Sequence, residues 1–129
     1  MSSSMFVPRT EARIALAKRF GLPYQDSMQD WEWEVADAKR FREWLDAYIG
    51  ADLTDDERLS LMEMLIQCAE DMGPGPELES ACLSLEPLLL ARPTLHRASV
   101  EYWALVGEDD HAAQFAVSAA MRKTLNATA

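Results

Sequence analysis

Thr54-Asp55-Asp56-Glu57-Arg58-Leu59-Ser60-Leu61-Met62-Glu63-Met64-Leu65-Ile66-Gln67-Cys68-Ala69-Glu70-Asp71-Met72 decides the fold. Its first four residues spell a capping box. The Thr54 hydroxyl accepts the amide of residue 57, and the Glu57 carboxylate reaches back to the amide of Thr54. Asp55 and Asp56 lie where a helix dipole favours negative charge. The apolar set that follows includes Leu59, Leu61, Met62, Met64, Leu65, Ile66, Cys68, Ala69 and Met72. That set is wider than the stripe one neighbouring helix would cover, so the segment predicts a central helix with partners on several sides.

The punctuation on either side is also helical. Thr10 opens a predicted helix through Phe20, stopped by Gly21 with Pro23 beyond. Asp30 and Asp37 both qualify as the next start. Phe41, Trp44, Leu45, Tyr48 and Ile49 then form an amphipathic stripe ended by Gly50. After the turn Gly73-Pro74-Gly75-Pro76, Pro76 suits a first helical position. Pro87 predicts a break or kink near Ser84 to Glu86. Thr94 is read as the cap of a helix bearing Leu95, Ala98, Tyr102 and Leu105 up to Gly107. Asp109 or Asp110 would cap a last helix with Ala112, Phe115, Ala116, Ala119 and Leu125. No segment alternates with period two over a strand's length.

The reading is an all-α chain of six or seven helices. They pair as stacked antiparallel hairpins, residues 10–20 with 37–49, 54–72 with 77–91, and 94–106 with 110–126. An irregular bundle and a short α-solenoid both fit. The length of 129 residues argues for one domain, with residues 1–9 flexible. With 49% apolar residues the core needs no metal or disulfide. No apolar run approaches the roughly 20 residues that span a bilayer. The start of the chain has neither a charged leader nor a long apolar segment, so a cytoplasmic address is expected.

Charge is the second strong signal. Twenty-two acids face twelve bases, a net −10. Residues 43–91 carry twelve of the acids against Arg58 alone, a net −11, while the rest of the chain is near neutral. Capping explains Asp52, Asp55, Asp56, Glu77 and Glu79 locally. Glu70 and Asp71 fall at a helix C-terminus, which the dipole disfavours. These residues, with Glu63, form the candidate partner-binding surface. Such a field attracts a basic protein and repels the phosphate backbone of nucleic acid.

Chemistry is harder to find. The chain has no Gly-rich phosphate loop, no His-Glu-x-x-His and no Cys-x-x-Cys. Glu108 and His111 make one Glu-x-x-His, short of the ligand set that a di-iron bundle requires. Ser60, Ser80, Ser84 and Ser99 have His96 and His111 as candidate bases, but no spacing selects a pair. Glu63 and Glu70 could present paired carboxylates on one helix face, against the commoner reading of two solvated glutamates. Cys68 and Cys82 lie symmetrically about Gly75, so a hairpin there could bring the thiols together. Two buried thiols acting as small apolar side chains are the simpler reading. Trp31 and Trp33 would anchor a partner if exposed, but large aromatics favour packing. No metal, cofactor, nucleic acid or membrane is therefore expected, and no enzyme activity.

Asp30-Trp31-Glu32-Trp33, the segment Glu57-Arg58-Leu59-Ser60-Leu61-Met62-Glu63-Met64-Leu65-Ile66, and Tyr102-Trp103 resemble stretches of small acidic helical bacterial immunity proteins. Such proteins are paired with their own toxins. The similarity covers under half of the chain and carries over no functional residue. It implies an inhibitor that neutralises a cognate toxin, such as a basic nuclease. The alternative is a helical adaptor or secretion chaperone that holds a partner segment in an apolar groove, with Met62, Met64 and Met72 as candidate lining.

Overall fold

The capping box forms as the sequence predicts. In a computed structural model, the Thr54 amide donates to Glu57 Oε1 at 2.8 Å and the Glu57 amide donates to Thr54 Oγ1 at 3.1 Å. The structure describes residues 10–110 and 114–128. The expectations for residues 1–9, His111 and Ala112 lie outside the described residues. The described residues are all-α, with seven α-helices, one 3-10 turn and no strand. No helix among them is long and apolar enough to cross a membrane.

The helices are α1 (Thr10–Phe20), α2 (Trp31–Glu34), α3 (Phe41–Gly50), α4 (Asp55–Met72), α5 (Pro76–Ala91), α6 (Pro93–Ala104) and α7 (Ser118–Ala127). The described residues group into two compact units, one ending at Asp71 and the other beginning at Met72.

In the first unit, α1 stops as its glycine dictates. Gly21 takes φ +66°, and the Leu22 amide bonds back to the Ala17 carbonyl at 2.8 Å, a Schellman closure. Asp30 and Asp37 both mark starts, of different elements. The Asp30 carbonyl accepts the first turn of α2, while its side chain makes no cap bond. The Asp37 carboxylate accepts the Lys39 amide at 3.0 Å and opens the 3-10 turn Ala38–Arg40, which leads into α3. Phe41, Trp44, Leu45 and Tyr48 of the α3 stripe are buried, but Ile49 is 64% exposed. On α4 every residue from Ser60 to Ile66 is buried, as are Cys68 and Ala69, which fits the central role read from its wide apolar set. Phe20 and Trp44 meet with ring centroids 5.8 Å apart, joining the end of α1 to α3.

Three boundaries in the second unit depart from the sequence reading. First, α5 runs unbroken through Pro87 to Ala91. Pro87 lacks the N–H that would bond the Leu83 carbonyl, but both residues are exposed, so the missing bond is not sealed in the core and its cost is low enough for the helix to continue. Second, α6 starts at Pro93, after Arg92, and Thr94 makes no cap. A proline at the first position needs no donor there, so the start shifts ahead of the threonine. Third, α6 ends at Ala104 because Leu105 adopts the left-handed conformation at φ +47°, ahead of the expected stop at Gly107.

The last described helix starts at Ser118, downstream of the start that Asp109 or Asp110 suggests. The Ser118 hydroxyl accepts the Phe115 amide at 3.1 Å and donates to the Trp103 carbonyl at 2.8 Å. The Arg122 guanidinium donates to the carbonyls of Ala104, Leu105 and Glu108. These bonds satisfy the end of α6 and place the start of α7 beside it. The Trp103 and Phe115 rings meet at 4.7 Å, tilted by 54°, and α5 packs on both α6 and α7.

Candidate docking surfaces

The capping box places Asp52 and Asp55 in solvent at the head of α4, with Asp56 half-buried beside them. At the other end of α4, Glu70 is half-buried and Asp71 is exposed, accepting the Gln67 amide nitrogen at 2.8 Å. Glu77 and Glu79 stand exposed in the first turn of α5. Ion pairs between Arg40 and Glu43 and between Arg97 and Glu101 lie on the surface. Among the described residues, Asp52, Asp55, Glu77 and Glu79 take no ion pair.

Glu63 has to be removed from the partner-facing set. It is 1% exposed, and its Oε1 accepts the Trp33 indole N–H at 2.9 Å. The cause is the burial of α4 around its whole circumference from Ser60 to Ile66, which leaves that stretch without a solvent face. A solvated carboxylate pair with Glu70 is excluded for the same reason. Met62 and Met64 are corrected likewise. They are fully buried and offer no exposed face to a partner segment.

The first unit contains a polar network that the sequence reading did not anticipate. Arg13 and Glu32 form a two-pronged pair, with Nε to Oε2 at 2.9 Å and Nη2 to Oε1 at 2.7 Å. Arg13 also donates to the carbonyls of Met28 and Gln29. Ser60 Oγ donates to Glu32 Oε2 at 2.8 Å. The network ties α1, the loop before α2, α2 and α4 together, and Arg13, Glu32 and Ser60 are all buried. One signal was available. Arg13 falls among the buried positions Ala12, Leu16, Ala17 and Phe20, where a cation needs an internal anion. Trp31 is wholly buried and donates to the Pro23 carbonyl at 2.7 Å, while Trp33 is half-buried, so packing is the fate of both.

Lys39 and Arg40 are adjacent bases, but Arg40 is engaged within the fold. Its guanidinium lies 5.2 Å from the Trp44 ring and donates to the Phe20 carbonyl and to Glu43. The hydrogen bond from Arg40 holds the Glu43 carboxyl below its ordinary range.

Neither cysteine is in a disulfide. Cys68 donates to the Asp37 carbonyl at 3.3 Å, and burial pushes its thiol up to about 12. A thiol so held is a poor nucleophile. His96 and Ser99 are buried on α6. Among the described residues no His, Cys, Asp and Glu cluster is suited to a metal ion.

The second unit carries a groove of about 470 Å³ between α5 and α7. Leu78, Leu89 and Met121 form its buried floor. Glu79, Cys82, Leu83 and Glu86 edge it from α5, and Ala119 and Lys123 from α7. Leu83 is 68% exposed at its mouth.

No known protein family, curated protein or solved structure matches this chain.

Proposed function

We propose that the chain is a non-catalytic protein-binding protein, an immunity-like inhibitor that neutralises a cognate toxin in the bacterial cytoplasm. The toxin presents a basic face, as nucleases do. The observation that carries this reading is the set of exposed carboxylates at the heads of α4 and α5, which take no ion pair among the described residues. Exposed carboxylates without an internal counter-charge keep their field for a partner. Within each unit they attract a basic protein and raise its association rate.

The test uses a toxin-tipped protein encoded beside the gene. The chain carrying Asp52→Lys, Asp55→Lys, Glu77→Lys and Glu79→Lys should associate with it at least about tenfold more slowly at low salt, and the gap should close as salt rises. Unchanged association and unchanged protection of toxin-expressing cells would rule out this surface.

A second reading is a helical adaptor or secretion chaperone, favoured by the groove between α5 and α7. It differs in kind. The ligand would be a segment, and its affinity would depend on apolar contact more than on salt.

A further inference from the structure

The α5–α7 groove has one chemistry on its floor and another on its rim. Its floor is leucine and methionine. On the α5 rim, Glu79 and Glu86 stand seven residues apart, about 10 Å along a helix, on one face. Leu83 projects between them. Neither glutamate takes an ion pair among the described residues, and α5 contains no lysine or arginine. The opposite wall offers small Ala119 and one cation, Lys123. A groove of this volume lies within the range that takes a ligand.

We infer that this groove docks an amphipathic helix of a partner protein, with its apolar face on Leu78, Leu83, Leu89 and Met121 and a basic edge along Glu79 and Glu86. The spacing of the two carboxylates selects cations seven residues apart, the repeat that one helix edge presents. Lys123 on the far wall sets the direction of the match, because the partner's basic edge must face α5. Small side chains on α7 let the incoming backbone approach closely. The inference rests on the protein-binding reading and adds the chemistry of the bound segment.

Synthetic peptides test it without the toxin, so its failure is separable from failure of the acidic carboxylates to steer the toxin, although Glu79 belongs to both. The probe is a fluorescein-labelled amphipathic peptide of about 15 residues. It carries leucines at positions i, i+3, i+4 and i+7 and lysines seven apart on one edge. The control carries glutamates in place of the lysines.

By fluorescence anisotropy with the full chain, the lysine peptide should bind about tenfold more tightly than the control at low salt. Leu83→Glu, at an exposed position, should weaken it about tenfold. The pair Glu79→Lys and Glu86→Lys should invert the preference. Bound peptide should also slow alkylation of Cys82 by iodoacetamide, read by intact mass, with Cys68 unreactive throughout. Equal binding of the two peptides, or no binding of either, overturns the inference. So does a peptide-independent dimer that Leu83→Glu dissociates, because the groove would then belong to a second copy.

Discussion

The two compact units are held together by opposite means. The first buries an arginine, a glutamate and a serine in one hydrogen-bonded network, with a second buried glutamate under Trp33. In the second, the ion pair between Arg97 and Glu101 lies on the surface. Its helices meet through Trp103, Phe115 and aliphatic side chains, and its loop is closed by hydrogen bonds from Arg122 and Ser118 to backbone carbonyls. A buried network is directional, since each donor must find its acceptor, and it specifies one arrangement of α1, α2 and α4. Apolar helix packing is less particular. The described groove that could admit a segment lies in the unit packed that way.

The largest expected effect is at the network. Glu32→Ala leaves the Arg13 guanidinium buried without its carboxylate and should cost about 3–5 kcal/mol, read by urea denaturation. Arg13→Met with Glu32→Leu removes both charges and should recover part of that loss, though the carbonyls of Met28 and Gln29 then lose their donor. If Glu32→Ala cost no more than a surface substitution, the contrast between the units would collapse.

Arg122→Ala probes the other unit. Three carbonyls lose a charged donor, and the expected cost is about 2–3 kcal/mol. Hydrogen exchange should rise first at residues 104–108, while amides of α1 and α4 stay protected. Uniform loss of protection along the whole chain would argue against units that respond separately.

The smallest effect is a pH dependence at Cys68. Burial raises this thiol from 9.0 to about 12, so the folded state keeps its proton when the unfolded chain has lost it. Its contribution to stability is complete below pH 9 and is lost as pH rises from 9 toward 12. At pH 10 the loss is about 1.4 kcal/mol. The stability difference between the chain and Cys68→Ala should narrow by that amount between pH 8 and pH 10. A constant difference would mean that the thiol is not held in its protonated form.

Local rules read well wherever a few neighbouring residues decide the outcome. The Thr54–Glu57 box, the Gly21 stop and the buried breadth of α4 were legible for that reason. Signals with two local solutions misled. Pro93 and Thr94 compete for one helix start, and the proline prevailed. Pro87 reads as a breaker, but on an exposed face the bond it removes costs little and the helix runs on. The first turn of α7 was illegible because its determinants, the carbonyls of Trp103 and Ala104, lie 15 and 18 residues upstream of Ser118 and Arg122. The candidate surface was half legible. Acids beside caps could be placed in solvent, but Glu63 looks like its neighbours in sequence, and only the packing around α4 removes it. The groove depends on how α5 and α7 approach each other, which no periodicity encodes.

The latch at Arg122 has a consequence for the order of events as the chain is made. The three carbonyls it closes, at residues 104, 105 and 108, leave the ribosome before it does, and so does every residue of α5 and α6. Until α7 emerges, the end of α6 stays uncapped and the groove has one wall. The network of the first unit is complete in sequence by Glu63, with half the chain still to be synthesised. A chain interrupted before Arg122 therefore holds every part of the first unit's network while its second unit is still open.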